Sequence, residues 1–175
     1  AVIGPNGAGK TTLVNMLAGA LRPSAGRIVL EGREVAGEPV WRMSRLGIGR
    51  SFQRTNIFPS LSVLENVRLA VQAVAQVHNP LRRAESAPEL IERAHATLHK
   101  VGLADLSSRT AGTLSHGEQR QLEIAMALAG RAKALLLDEP LAGMGIEESQ
   151  RMVELLRALA RQHAVLLIEH DMDVV

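Results

Sequence analysis

The sequence contains no cysteine and no tyrosine, and its aromatic residues are Trp41, Phe52 and Phe58 alone. Without cysteine there is no disulfide framework, no thiolate zinc site and no thiol nucleophile. So few aromatics argue against modules that read bases or glycans on aromatic platforms. Lysine is also scarce, at positions 10, 100 and 133. Lys plus Arg number 20 against 18 Asp plus Glu, a net charge of +2. The sequence pI of about 9.7 therefore reflects a flat titration curve rather than a polycation, since almost nothing titrates between neutrality and the lysine range. It is a weak pointer to nucleic acid, and none is expected as a partner. Apolar runs are short, Val165–Ile168 among the longest, and none can span a bilayer. No stretch has the pattern of a secretory leader.

What is present describes a globular chain. Its 175 residues suit about one domain, and a chain of that length buries about 70% of its unfolded surface. Hydrophobic residues make up 46% and charged residues 22%, which excludes disorder. Val2–Ile3 reads as the end of an apolar strand, followed by a Gly-rich turn at Gly4–Gly9 and a helix over Thr11–Leu21 with apolar residues at 13, 16, 17 and 21. Arg27–Leu30 and Gly47–Phe52 are short strand candidates, separated by a turn-rich, charged stretch. Ser62 and Glu65 form a capping-box pattern for a helix toward His78. Ser86, Pro88 and Glu89 open another, with apolar residues at 90, 91, 94, 98 and 101, closed by Gly102. Ser115 and Glu118 open a third, to about Ala129. Ala134–Leu137 and Val165–Ile168 read as buried strands flanking a helix over Glu147–Gln162. Strands alternate with helices at both ends, so a parallel α/β sheet is expected, with a helical segment from about 60 to 130.

Gly4-Pro5-Asn6-Gly7-Ala8-Gly9-Lys10-Thr11 fits the G-x-x-x-x-G-K-[ST] pattern of a phosphate loop. Glycines let backbone N–H groups converge on phosphate oxygens without Cβ clashes. Lys10 supplies a point charge near the β and γ phosphates, Thr11 offers a hydroxyl to Mg²⁺, and the following helix aims its N-terminus at the anion. A buried strand then ends at Asp138-Glu139, two carboxylates at the sheet edge where ligands of α/β proteins bind. Asp138 is expected to hold Mg²⁺, directly or through water, and Glu139 to polarise an attacking water.

Leu114-Ser115-His116-Gly117-Glu118-Gln119 is a capped helix start with a glycine, and so also an anion site. It resembles the LSGGQ signature of ATP-binding cassette (ABC) ATPases, with Ser115 and Gly117 at the phosphate-contacting positions and His116 and Glu118 departing from the consensus. The resemblance covers almost the whole chain. Gln53 stands at the Q-loop position, Asp138-Glu139 at the Walker B motif with its catalytic glutamate, and His170 at the switch histidine. Leu46–Gln53, Phe58–Val67, Leu122–Ala125, Ala142–Met144 and Ile168–Met172 look like importer subunits for branched-chain amino acids. Urea-type importers and lipopolysaccharide-export ATPases share much of this pattern. One position departs: Gly145 stands where the D-loop usually has Asp or Asn.

The resemblance implies a P-loop NTPase core with a parallel sheet and an ABC-type helical subdomain. The core would comprise about 1–59 and 131–175, the helical subdomain about 60–130. It implies ATP and Mg²⁺ as cofactors. Gly4, Pro5, Asn6, Gly7, Ala8, Gly9, Lys10, Thr11 and Thr12 would bind the nucleotide, and Ser115 and Gly117 would serve a second subunit's ATP in a head-to-tail dimer. Thr11, Gln53 and Asp138 would hold the metal; Glu139, His170 and Gln53 would be catalytic. The region from Gln53 through about Asn66 would pass motion to transmembrane permease subunits, with a solute-binding protein acting indirectly, so that the protein sits peripherally on the cytoplasmic face of the inner membrane. The chain starts inside the strand feeding the phosphate loop and is expected to be an internal piece, with the family's adenine-stacking aromatic outside it. Chromosome-maintenance ABC ATPases would need long coiled coils between Lys10 and Ser115, and no sustained heptads occur there. Translation-factor ABC proteins carry two cassettes where this chain shows one, and Glu139 and His170 argue against a non-catalytic nucleotide sensor.

Overall fold

The computed structural model describes residues 1–5, 7–51, 55–75 and 88–169. Strand β1 (Val2–Ile3) leads into α1 (Lys10–Leu17). A hairpin follows, β2 (Val29–Leu30) and β3 (Arg33–Glu34), then α2 (Val40–Leu46) and β4 (Ile48–Arg50). Three helices come next, α3 (Val63–Ala75), α4 (Pro88–Lys100) and α5 (His116–Ala129). The described chain closes with β5 (Ala134–Asp138), α6 (Ile146–Ala160) and β6 (Ala164–Glu169). The main sheet has the order β1-β6-β5-β4, and every adjacent pair is parallel. All four strands therefore release the chain at one edge, as the alternation of strand and helix requires.

The period of two along β5 and β6 divides the core between the two faces of this sheet. Leu135 and Leu137, with Val165 and Leu167, pack toward α3, α4, α5 and α6 in one apolar cluster. Leu136 and Ile168, with Leu166, pack toward α1, the hairpin and α2, through Val14, Ala18, Val35 and Met43. A strand covered on both sides must read as a continuous apolar run, which is why Leu135-Leu136-Leu137 shows no alternation. Its next residue, Asp138, falls by register on the Leu136 face, the side covered by α1.

The helix expected over Thr11–Leu21 ends earlier, at Leu17. Its buried face is Val14 and Ala18, whereas Leu13 and Leu21 are exposed. The chain turns at Gly19, so the apolar spacing of 13, 17 and 21 does not belong to one continuous helix. The charged stretch between the two early strand candidates holds β3 and α2. Helix α2 buries only Met43, leaving too little apolar stripe to be seen in the sequence. Elsewhere the periodicity holds: Leu90, Ala94, Leu98 and Val101 are buried along α4, and Met152, Leu156 and Leu159 along α6.

Candidate nucleotide site

Helix α1 starts without a side-chain cap, its N-cap Gly9 sitting in the left-handed region at φ 86°. Gly7 shares that conformation at φ 82°. A Cβ added at either would meet nothing within 4 Å. Here glycine is demanded by the backbone rather than by crowding, and the space over the turn is open. Lys10 folds back across the loop, its Nζ donating to the carbonyl oxygens of Gly4 at 2.6 Å and Pro5 at 3.0 Å. Ala8 N–H donates to the Pro5 carbonyl at 3.2 Å, closing the turn. Thr11 and Thr12 are exposed on the first turn of α1. Asn6 lies outside the described residues.

Asp138 ends β5 almost wholly buried, 2% exposed. Its Oδ1 has no hydrogen-bond partner among the described residues. Burial pushes its pKa above the ordinary carboxylate range, and the neighbouring Glu139 charge adds to this; Arg50, Lys10 and Arg120 oppose it. A buried carboxylate oxygen that accepts no hydrogen bond is an available ligand for a hard cation. Among the described residues no group of three or more His, Asp or Glu could cage a metal. One carboxylate and the exposed Thr11 hydroxyl at the start of α1 suit Mg²⁺, which keeps its waters and takes phosphate oxygens.

Two residues at this edge fix Asp138 and Glu139 in place. Ser51 follows β4, where its N–H donates to the Leu136 carbonyl at 3.0 Å. Its Oγ accepts the Asp138 N–H at 3.3 Å. Glu139 takes the left-handed conformation, φ 49°, which costs a non-glycine residue roughly 1–2 kcal/mol. This turn lets its N–H donate to the Ile168 carbonyl at 3.0 Å. Gln53 and His170 lie outside the described residues; their neighbours Ser51 and Glu169 are buried at the ends of β4 and β6. The anchoring role of Ser51 has no sequence signal, since it depends on the β4–β5 register.

The Ser115 turn is built differently. Ser115 Oγ accepts the Glu118 N–H at 3.3 Å, and Glu118 Oε2 accepts the Ser115 N–H at 2.7 Å, a complete capping box. Ser115 also donates its hydroxyl to Oε1 of Glu148, on the first turn of α6, at 3.0 Å. Gly117 is buried beneath that carboxylate: a Cβ there would lie 3.0 Å from its carbon and from Oε1. Its glycine is therefore demanded by a close approach. Ser115, Gly117, Glu118, Glu148 and Arg151 share the wall of a cavity of about 210 Å³ that no described phosphate-loop residue lines. Glu148 is the residue of this turn that the sequence reading missed; only the packing of α6 brings it there.

The segment following Gln53 is pinned by a buried asparagine. Asn66 Oδ1 accepts the Phe58 N–H at 2.7 Å, and its Nδ2 donates to the carbonyls of Phe58 at 3.0 Å and Ser62 at 2.9 Å. Fully satisfied, it holds residues 58–62 against α3 while Phe58 stays half exposed. An apolar cavity of about 340 Å³ adjoins this segment between α2, β4, α3 and α5, with Asn56, Arg50 and Glu123 in its wall.

Comparison with known proteins agrees with this geometry. The ABC transporter family matches residues 1–142. The high-affinity branched-chain amino acid transport ATP-binding protein LivG of Salmonella typhimurium is 39% identical over 99% of this chain and 71% of its own length. BraF of Pseudomonas aeruginosa, a protein of the same description, is 39% identical with the same coverage of both chains. A crystal structure of the ADP conformation of an ATP-binding cassette of an ABC transporter superposes with a TM-score of 0.84 at 30% identity, over 99% of this chain and 70% of that one. A nucleotide-free ATP-binding cassette from an ABC transporter gives 0.82 at 30% identity, again with 99% and 70% coverage. With its phosphate loop, buried β5 carboxylate and capped α5 turn on a parallel α/β sheet, the chain belongs to the ABC transporter family of ATP-binding cassettes.

Proposed function

We propose that the protein binds and hydrolyses ATP to energise import of branched-chain or related amino acids. One observation supports the chemistry above all: the buried, unpartnered Asp138 oxygen stands at the same sheet edge as an uncapped, glycine-framed helix start. The solute class rests on the names of the relatives, which span 99% of this chain. Residues 1–59 and 131–175 act as the catalytic core, and 60–130 as a helical subdomain.

Phosphoryl transfer to water needs positioning and charge neutralisation more than covalent participation. The N–H groups from Gly4 through Thr12 cradle the phosphates, and Lys10 exchanges its loop carbonyls for phosphate oxygens. Thr11, Asp138 and Gln53 hold Mg²⁺, which, when bound, neutralises phosphate charge. Glu139 holds the attacking water and takes its proton, while His170 supports the γ-phosphate and Gln53 orients the water. Ser115 and Gly117 serve the ATP of a second subunit in a head-to-tail dimer. The region after Gln53, through about Asn66, meets transmembrane permeases at the cytoplasmic face of the inner membrane. No helix among the described residues is long and apolar enough to cross a membrane, in keeping with a peripheral subunit.

The test is Glu139→Gln. Phosphate release should fall by ~100-fold or more, the size of a general-base contribution, with ATP binding retained. Turnover at the parent rate would exclude the assigned role.

A further inference from the structure

We propose that Glu148 keeps the Ser115 turn closed in the unassociated chain, its carboxylate standing where the second subunit's phosphate would bind, so that it must leave before two cassettes close on ATP. The inference rests on reading Ser115 and Gly117 as a turn that contacts phosphate.

Ser115 has one hydroxyl proton, and it is committed to Glu148 Oε1 at 3.0 Å. Ser115 Oγ also accepts the Glu118 N–H. Glu148 does not merely touch the turn: its carboxyl carbon and Oε1 lie 3.0 Å from where a Gly117 Cβ would stand. A carboxylate bonded to the N-cap serine lies beside the N-terminus of α5, where negative charge is favoured. A triphosphate approaching the turn competes with Glu148 for the Ser115 proton and meets like charge. Arg151 lines the same cavity one turn along α6 and forms no ion pair among the described residues. At i,i+3 from Glu148, it is a resting partner for the displaced carboxylate.

The experiment uses Glu139→Gln protein, in which ATP is retained, and follows dimer formation against ATP concentration by analytical ultracentrifugation. Adding Glu148→Gln or Glu148→Ala should lower the ATP needed for half-dimerisation by about three- to tenfold, the scale of losing one partly exposed like charge. The affinity of the chain's own phosphate loop, measured with fluorescent nucleotide under conditions that keep it monomeric, should not change. With Ser115→Ala also present, the gain should disappear. If the Glu148 variants need as much ATP as the parent or more, the carboxylate is a clamp between α5 and α6 and the proposal fails. Glu148→Gln preserves shape and hydrogen-bond acceptor, so a folding defect in the alanine variant leaves the comparison intact. If Glu139→Gln protein does not dimerise at any ATP concentration, the two-subunit reading itself is wrong, and the inference falls with it.

Discussion

Two helices in this protein begin at glycine-bearing turns suited to anions, and they are finished in opposite ways. At α1 no side chain caps the N-terminus, the glycines open outward, and the lysine that would meet phosphate rests on loop carbonyls. At α5 the turn is closed by a serine and two glutamates, with its glycine buried under one of them. An uncapped helix end leaves N–H donors that only solvent or a ligand can satisfy. A capped one is stable alone and has to exchange an internal anion for an external one. On the proposed reading, the first turn takes nucleotide in a single chain, while the second depends on a further event.

The sharpest break between the two turns should come from Lys10→Ala. Nucleotide affinity should fall by ~100-fold, roughly the ~2.7 kcal/mol that charge-assisted bonds to phosphate supply. Unchanged affinity in a calorimetric titration would remove the distinction at α1. Ser115→Ala should act on stability instead. Losing the cap should cost about 1 kcal/mol, lowering Tm by roughly 2–4 °C for a chain of this size, with nucleotide affinity of the monomer retained. A loss of monomer affinity would mean that both turns face one nucleotide.

The smallest effect tests the carboxylate at the first site. Asp138 carries a raised pKa in the folded protein. It binds more protons folded than unfolded, so its contribution to stability is present below the ordinary carboxylate pKa and lost as pH rises through the folded value. Asp138→Asn should raise Tm of the nucleotide-free protein at pH 7 by about 1–2 °C. That advantage should shrink toward pH 4, as thermal melts at the two pH values will show. A lower Tm at both would mean that the carboxylate is satisfied in the ligand-free fold.

Much of the candidate site is legible in the sequence. The phosphate loop, Asp138-Glu139 and the Ser115–Glu118 box are local patterns whose chemistry follows from spacing along one turn. The strands β5 and β6 and helices α4 and α6 were equally plain, the strands as continuous apolar runs and the helices by their regular apolar spacing. Helix α2 was hidden because it buries a single residue, and the end of α1 was misplaced because apolar residues continue past the turn at Gly19. Ser51 and Glu148 were invisible for another reason. Each acts on a residue far away in the chain, Ser51 on Asp138 and Glu148 on Ser115.

Sequence alone therefore determined which groups the proposed chemistry draws on, since the chemical character of side chains and of turns of a few residues is local. The tertiary structure decided which groups meet. The parallel order β1-β6-β5-β4 brings the phosphate loop and the β5 carboxylates to one edge, and the packing of α6 against α5 lays Glu148 over the second turn. Strand register and helix packing are set by burial summed over the whole chain, and no local pattern carries that sum.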